Sequence, residues 1–185
     1  MATMKLRWLL LLLLLLPILG GLFLVPSVRW SVYGWLKGEA FYRGMPTSRW
    51  VTVIEELYHP FPSDRPAFTP TLPTWVIDTQ PSFTDRVRQQ ITPGKTTLAI
   101  DNTLGGALLD GDHDALPVLL ALIHSNSAKA RRVAVSGLVA HGKARPEIVQ
   151  ALLHATQDPD EDVRGDAKMA LKEVAPDAAA KAGIK

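Results

Sequence analysis

The sequence predicts an all-α protein: a short α-solenoid of two helical hairpins, preceded by an N-terminal transmembrane helix and a proline-rich linker. Three observations carry that expectation. Residues 114–175 align with themselves at a shift of 33 positions, so that Leu116 meets Val149, Leu119 meets Leu152, Leu120 meets Leu153, Ala134 meets Ala167 and Leu138 meets Leu171. A repeat of that length marks stacked helix pairs, none of which can bury its own apolar face. Trp8–Val25 runs for 18 residues without a charge. Prolines at 60, 62, 66, 70, 73 and 81 forbid a long helix between the apolar run and the repeats. The expected organisation is a signal-anchor segment at 1–30, a juxtamembrane segment at 31–58, the linker at 59–112 and the repeat domain at 113–185.

At about 1.5 Å per residue the Trp8–Val25 run spans roughly 27 Å of helix, enough for the hydrocarbon core of a bilayer. Trp8 opens it, and Trp30, Tyr33 and Trp35 follow it, where interfacial aromatics belong. Two readings fit the run. An uncleaved anchor is favoured, because Gly20, Gly21 and Ser27 make only mediocre cleavage sites; a cleaved export signal is the alternative. Lys5 and Arg7 before the span nearly balance Arg29, Lys37 and Arg43 after it, and the short basic head favours an extracytoplasmic C-terminal domain.

Trp50, Val53, Ile54 and Leu57 recur at helical spacing behind the turn residues Pro46, Thr47 and Ser48. They predict an amphipathic helix over 47–58 that seals one end of the repeat stack. A ligand site built from Tyr42, Arg43 and Trp50 is the sharper alternative. In the linker, Trp75–Asp78 reads as an edge strand or an anchor into the helical part. Ser82 opens a helix through Phe83, Val87 and Ile91, and Thr96–Ile100 has strand character. Asp110-Gly-Asp-His-Asp114 resembles the start of a calcium loop, but its glycine is not sixth and position twelve, Ala121, is not glutamate. The plainer reading gives Asp112 or Asp114 the cap of the next helix.

Within the repeats the expected helices are 114–124, 128–140, 146–156 and 161–174. Pro117 and Pro146 sit in first turns, and Gly142 ends the second helix. Leu116–Ile123 and Asp158–Leu171 resemble HEAT repeats, closest to the short bacterial kind also called HEAT-like or phycobilisome-lyase-type. In that family an Asp precedes the second helix and a Val-Arg pair opens it; Asp158, Val163 and Arg164 match. The first copy departs, with Ser125 for the Asp and Ala130 for the Val, while Arg131 is kept. The whole chain is similar to bacterial membrane-anchored HEAT-repeat proteins, in which a hydrophobic segment and the Tyr-Arg-Gly-x-Pro-Thr-Ser-x-Trp element, here 42–50, precede the repeats. The resemblance implies protein binding in the broad sense.

The chain has no cysteine, which excludes disulfides, thiolate metal sites and cysteine nucleophiles. A net charge of +2 implies no nucleic-acid partner. The five histidines show no metal-ligand spacing, and no serine elbow or phosphate-cradling glycine loop is present. No catalytic residue, cofactor or metal is therefore expected. The expected function is a non-catalytic, membrane-anchored scaffold with a protein partner. An accessory subunit to an enzyme, in the manner of lyase-type repeats, and a structural envelope protein are the alternatives. Arg131, Arg132, Arg164, Lys168 and Lys172 share the second helices of the two hairpins. Positions 164, 168 and 172, four apart, line one face. Such a line is ordinarily a solvated face; the sharper reading is a basic strip for an acidic partner or anionic lipid head groups.

Overall fold

The computed structural model describes residues 26–60, 72–77, 106–142 and 145–184. The apolar run at 8–25, the helix expected at 82–91 and the strand expected at 96–100 lie outside them. Among the described residues no helix is long and apolar enough to cross a membrane.

The chain is mostly helical. Helix α1 is Pro26–Leu36, followed by a two-stranded ladder of β1 (Phe41–Tyr42) with β2 (Met45–Pro46). Helix α2 is Thr47–Leu57, and β3 (Tyr58–Pro60) pairs antiparallel with β4 (Trp75–Ile77), Tyr58 opposite Ile77. A 3-10 turn at His113–Ala115 leads into α3 (Leu116–Leu122), then α4 (Ala128–Ala140), α5 (Pro146–Ala155), α6 (Glu161–Val174) and α7 (Pro176–Lys181). The layers follow chain order. Helix α1 packs on β2 and α2, α2 on α3 and α4, the α3–α4 hairpin on the α5–α6 hairpin, and α6 on α7.

The period of 33 holds in the packing. The pairs Ala115/Ile148, Val118/Ala151, Leu119/Leu152, Leu122/Ala155, Ala130/Val163, Ala134/Ala167 and Leu138/Leu171 are all buried. It also holds in the capping. Ser127 Oγ accepts from Ala130 N at 3.0 Å, and Asp160 Oδ1 accepts from Val163 N at 3.1 Å, each satisfying an orphan donor of its helix. Gly142, at φ +62, ends the turn after α4 in the left-handed conformation that glycine adopts without a Cβ clash. One expectation shifts: in α5 the buried stripe is Ile148, Ala151, Leu152 and Ala155, while Val149 and Leu153 are only half-buried. Leu120, the counterpart of Leu153, is half-buried as well, whereas Leu116, the counterpart of Val149, is buried.

Helix α2 does seal the first hairpin, through buried Trp50 and Ile54. Its start is not capped by Thr47 or Ser48 side chains. Glu39 does that work from outside the helix, its Oε2 accepting from Ser48 N at 2.8 Å. Ser127 Oγ donates to the Glu55 carboxylate, and Lys129 Nζ donates to Glu55 O at 2.9 Å, tying the end of α2 to the start of α4. Trp75 is both strand and anchor. It is 1% exposed, and its Nε1 donates to Ser136 Oγ of α4 at 3.0 Å. The edge strand expected at Trp75 is there, with β3 as its partner; the β1–β2 ladder is an addition to the all-α expectation, its two-residue strands too short to show an alternating pattern.

Candidate interaction surface

The turn between α5 and α6 carries the chemistry that joins the two hairpins. Asp158 is buried there, and Arg131 of α4 reaches across to it. Arg131 Nε donates to Asp158 Oδ2 at 2.7 Å and Nη2 to Oδ1 at 2.8 Å, a bidentate fork. The remaining nitrogen, Nη1, donates to Ser125 O of its own hairpin at 2.9 Å. Asp158 Oδ1 also accepts from Asp160 N at 2.9 Å. Burial disfavours the Asp158 charge, but the Arg131 hydrogen bonds, the Asp160 amide and the Arg131 charge outweigh it and hold the carboxyl below its ordinary value.

A second joint lies beside it. Arg132 Nε donates to Asp166 Oδ2 at 2.7 Å and Nη1 to Asp162 Oδ2 at 3.0 Å, with the guanidinium centred 5.8 Å from the Trp75 ring. Asp166 is 4% exposed and stands 33 positions after fully buried Val133, at a core position. Here burial wins: it pushes the Asp166 carboxyl above its ordinary value, and Arg132 offsets this only in part.

The structure therefore divides the five basic residues expected on one surface. Arg131 and Arg132 are spent inside the fold, with side chains 11% and 22% exposed. Arg164 is half-buried and donates through Nη1 to Asp158 O and Pro159 O, both at 2.8 Å. Only Lys168 and Lys172 are exposed. Of the repeat signature, Val163 is fully buried under the start of α6, and Asp158 and Arg164 share the turn before it. The Asp158 joint was half legible, through the family pattern. The partners of Arg132 were not, because 30 and 34 positions separate the pairs and no local rule links them.

A cleft of about 650 Å³ lies between the 41–43 segment and the start of α3. Tyr42 Oη sits 2.8 Å from Asp112 Oδ2 and 3.1 Å from Ala107 O, sharing its proton between them. Asp112 is the cap expected of this acidic stretch: its Oδ1 accepts from Asp114 N at 3.1 Å. The Tyr42 bond is the main cause holding the Asp112 carboxyl below its ordinary value. Trp50 stacks on Tyr42 with centroids 5.8 Å apart, and its Nε1 donates to Tyr42 O at 3.2 Å. Tyr42 and Trp50 are thus core and latch, and of the alternative ligand trio only Arg43 is exposed. Among the described residues no three His, Cys, Asp or Glu side chains are placed to hold a metal ion.

No curated protein and no solved structure matches the chain. The family model of HEAT repeats matches residues 102–182, the stretch that holds both hairpins and the Arg131–Asp158 joint. Repeats of this family generally mediate protein–protein interaction. Residues 102–182 of the chain are a HEAT-repeat segment.

Proposed function

We propose that the chain is a membrane-tethered, non-catalytic interaction module, with its repeats on the extracytoplasmic side. The observation that carries the reading is a collar of exposed aromatic and apolar side chains. Tyr33 is 44% exposed, Trp35 75%, Leu36 71% and Phe41 37%, and they are the large hydrophobic side chains most open to solvent among the described residues. All four follow closely on the uncharged 8–25 run. Cations accompany them: Lys37 lies 4.4 Å from the centroid of the Tyr33 ring, and Arg49 lies 5.8 Å from that of Trp30. Aromatic rings beside basic groups suit the head-group layer of a bilayer, where a ring and a cation each find their preferred depth. In the succession of layers the collar stands at one extreme and the second hairpin at the other. A tether at the collar would hold the far hairpin away from the membrane for a protein partner.

Fractionation of membranes with an alkaline wash, followed by protease added from outside, tests the reading. A full-length, wash-resistant chain that the protease cuts is the expected result. A full-length chain released by the wash would overturn the tether, and a shortened soluble chain would replace it with a cleaved signal.

A further inference from the structure

We propose that the groove between the second hairpin and the turn at 182–184 is a seat for an acidic helical segment of a partner protein, whose carboxylate engages Nε and Nη2 of Arg164. The proposal rests on the interaction-module reading above and gives that module a surface and a partner chemistry.

The argument starts from the period of 33. On the first hairpin, Leu120, Ile123, His124 and Val135 occupy one flank. Ile123 is 2% exposed and Val135 fully buried, and the His124 ring meets the His154 ring of the second hairpin at 5.0 Å. Their counterparts are Leu153, Thr156, Gln157 and Lys168. These four line an open groove of about 450 Å³ whose other rim is the turn at 182–184. Leu120 and Leu153 are both half-buried, Ile123 and Thr156 both buried, and His124 and Gln157 both exposed; what changes at the second hairpin is that an exposed lysine stands where the first buries a valine. The chemistry has shifted with it, isoleucine having become threonine. The groove favours an amphipathic, negatively charged occupant over an apolar one.

Arg164 supplies the specific contact. Its Nη1 repeats the Arg131 bond one hairpin on: Arg131 Nη1 donates to Ser125 O at 2.9 Å, and Arg164 Nη1 donates to Asp158 O at 2.8 Å. The other edge of Arg131, Nε with Nη2, grips the Asp158 carboxylate of the following hairpin. The same edge of Arg164 has no hydrogen-bond partner among the described residues, while its guanidinium is oriented by two carbonyls. Lys168 and Lys172 follow Arg164 at spacings of four along α6, with the exposed Glu161 one turn before it on the same face. A guanidinium held this way is pre-organised for a carboxylate fork, so little side-chain entropy remains to be lost on binding.

A second copy of the chain does not meet this description. Its first hairpin carries Ser125 where the carboxylate is required, and its Asp158 carboxylate is already held by its own Arg131, which a peptide of the second hairpin lacks. The occupant is a different protein, with an Asp or Glu in the turn before a helix, as Asp158 stands before α6.

The probe is a labelled synthetic peptide of residues 146–174, which carries the Asp158 turn with seven acidic and three basic side chains. It is titrated at low ionic strength against the full chain in detergent micelles and followed by fluorescence anisotropy. Saturable binding is expected. Arg164→Gln in the chain, or Asp158→Asn in the peptide, should each weaken it about tenfold, the loss of one charge-assisted fork, and the two together no further. Lys168→Glu, which disturbs no bond of the fold, should also weaken binding with the thermal melt unchanged. Absence of saturable binding, or binding indifferent to all three changes, overturns the proposal. So does reversible self-association in sedimentation that Arg164→Gln abolishes, since the occupant would then be another copy. Membrane cross-linking separates this proposal from the broader reading: a partner captured equally by the wild type and by Arg164→Gln keeps the module and removes the seat.

Discussion

Replacing Arg131 by glutamine should cost the repeat domain about 3 kcal/mol, the low end of what is lost when one member of a buried ion pair is removed. The structure fixes the sum. Three hydrogen bonds disappear, two of them to a charged acceptor, at 2.7, 2.8 and 2.9 Å. The Asp158 side chain, 7% exposed, stays behind with the Asp160 amide as its remaining short-range donor. Partial access of water and the polarity of glutamine keep the loss away from the upper end, about 5 kcal/mol. Asp158→Asn should cost less, because it removes the stranded charge along with the bond. The double variant should then be more stable than the two single losses predict by about 2 kcal/mol, the coupling of groups in one network. Urea unfolding followed by far-UV circular dichroism measures all four corners. Additivity within about 0.5 kcal/mol would refute the assignment of this pair as the joint between hairpins. The acid limb gives a second reading. The folded-state carboxyl of Asp158 lies below its ordinary value, so its stabilisation is present above the unfolded value of 3.8 and is lost as pH falls through the folded one. In Arg131→Gln the carboxyl loses what holds it below its ordinary value, so that acid-side loss should shrink.

Asp166 should behave with the opposite sign. Its folded-state carboxyl is raised above 3.8, so the native chain holds the proton longer than the unfolded chain, and stability falls as pH climbs from 3.8 through the folded value. Asp166→Asn should flatten that part of the profile of urea midpoint against pH; an unchanged slope would show that another group sets it. Gly137→Ala should destabilise by about 1–3 kcal/mol, as overpacking does, because a Cβ there would sit 2.6 Å from a Leu119 methyl and 2.8 Å from Leu108 O. Thermal melting checks it, and a neutral or stabilising result would mean that the Leu108 segment yields.

The parts of this protein legible in its sequence are those with a period. Helices α4 and α6 begin and end where their caps and apolar spacing place them, and the shift of 33 that aligns Leu119 with Leu152 also aligns what is buried. Periodicity identifies which residues recur; it cannot tell which copy is covered. Val135 and Lys168 hold equivalent positions and differ in exposure because of their neighbours, a tertiary fact. The same limit applied to the basic strip. Spacing put Arg164, Lys168 and Lys172 on one face, yet nothing local revealed that Arg131 and Arg132 were already held by Asp158 and Asp166. The Tyr42–Asp112 bond spans 70 positions, and the Glu39 cap on α2 is set by a β-turn between them, so neither leaves a pattern that a window of residues can detect. The outlying tryptophan fared better, since an apolar Trp-Val-Ile run among prolines has few destinations other than a core.

The pairing of Pro60 with Trp75 has a consequence for engineering. Pro60 and Trp75 face each other across one rung, and Trp75 is fixed there by an indole in the core and a hydrogen bond to Ser136. Length added between the two need not move either end. For flexible inserts the closure entropy grows only with the logarithm of length, about 0.6 kcal/mol for each doubling. The site is therefore a natural port for an epitope, a fluorophore-bearing loop or a purification tag.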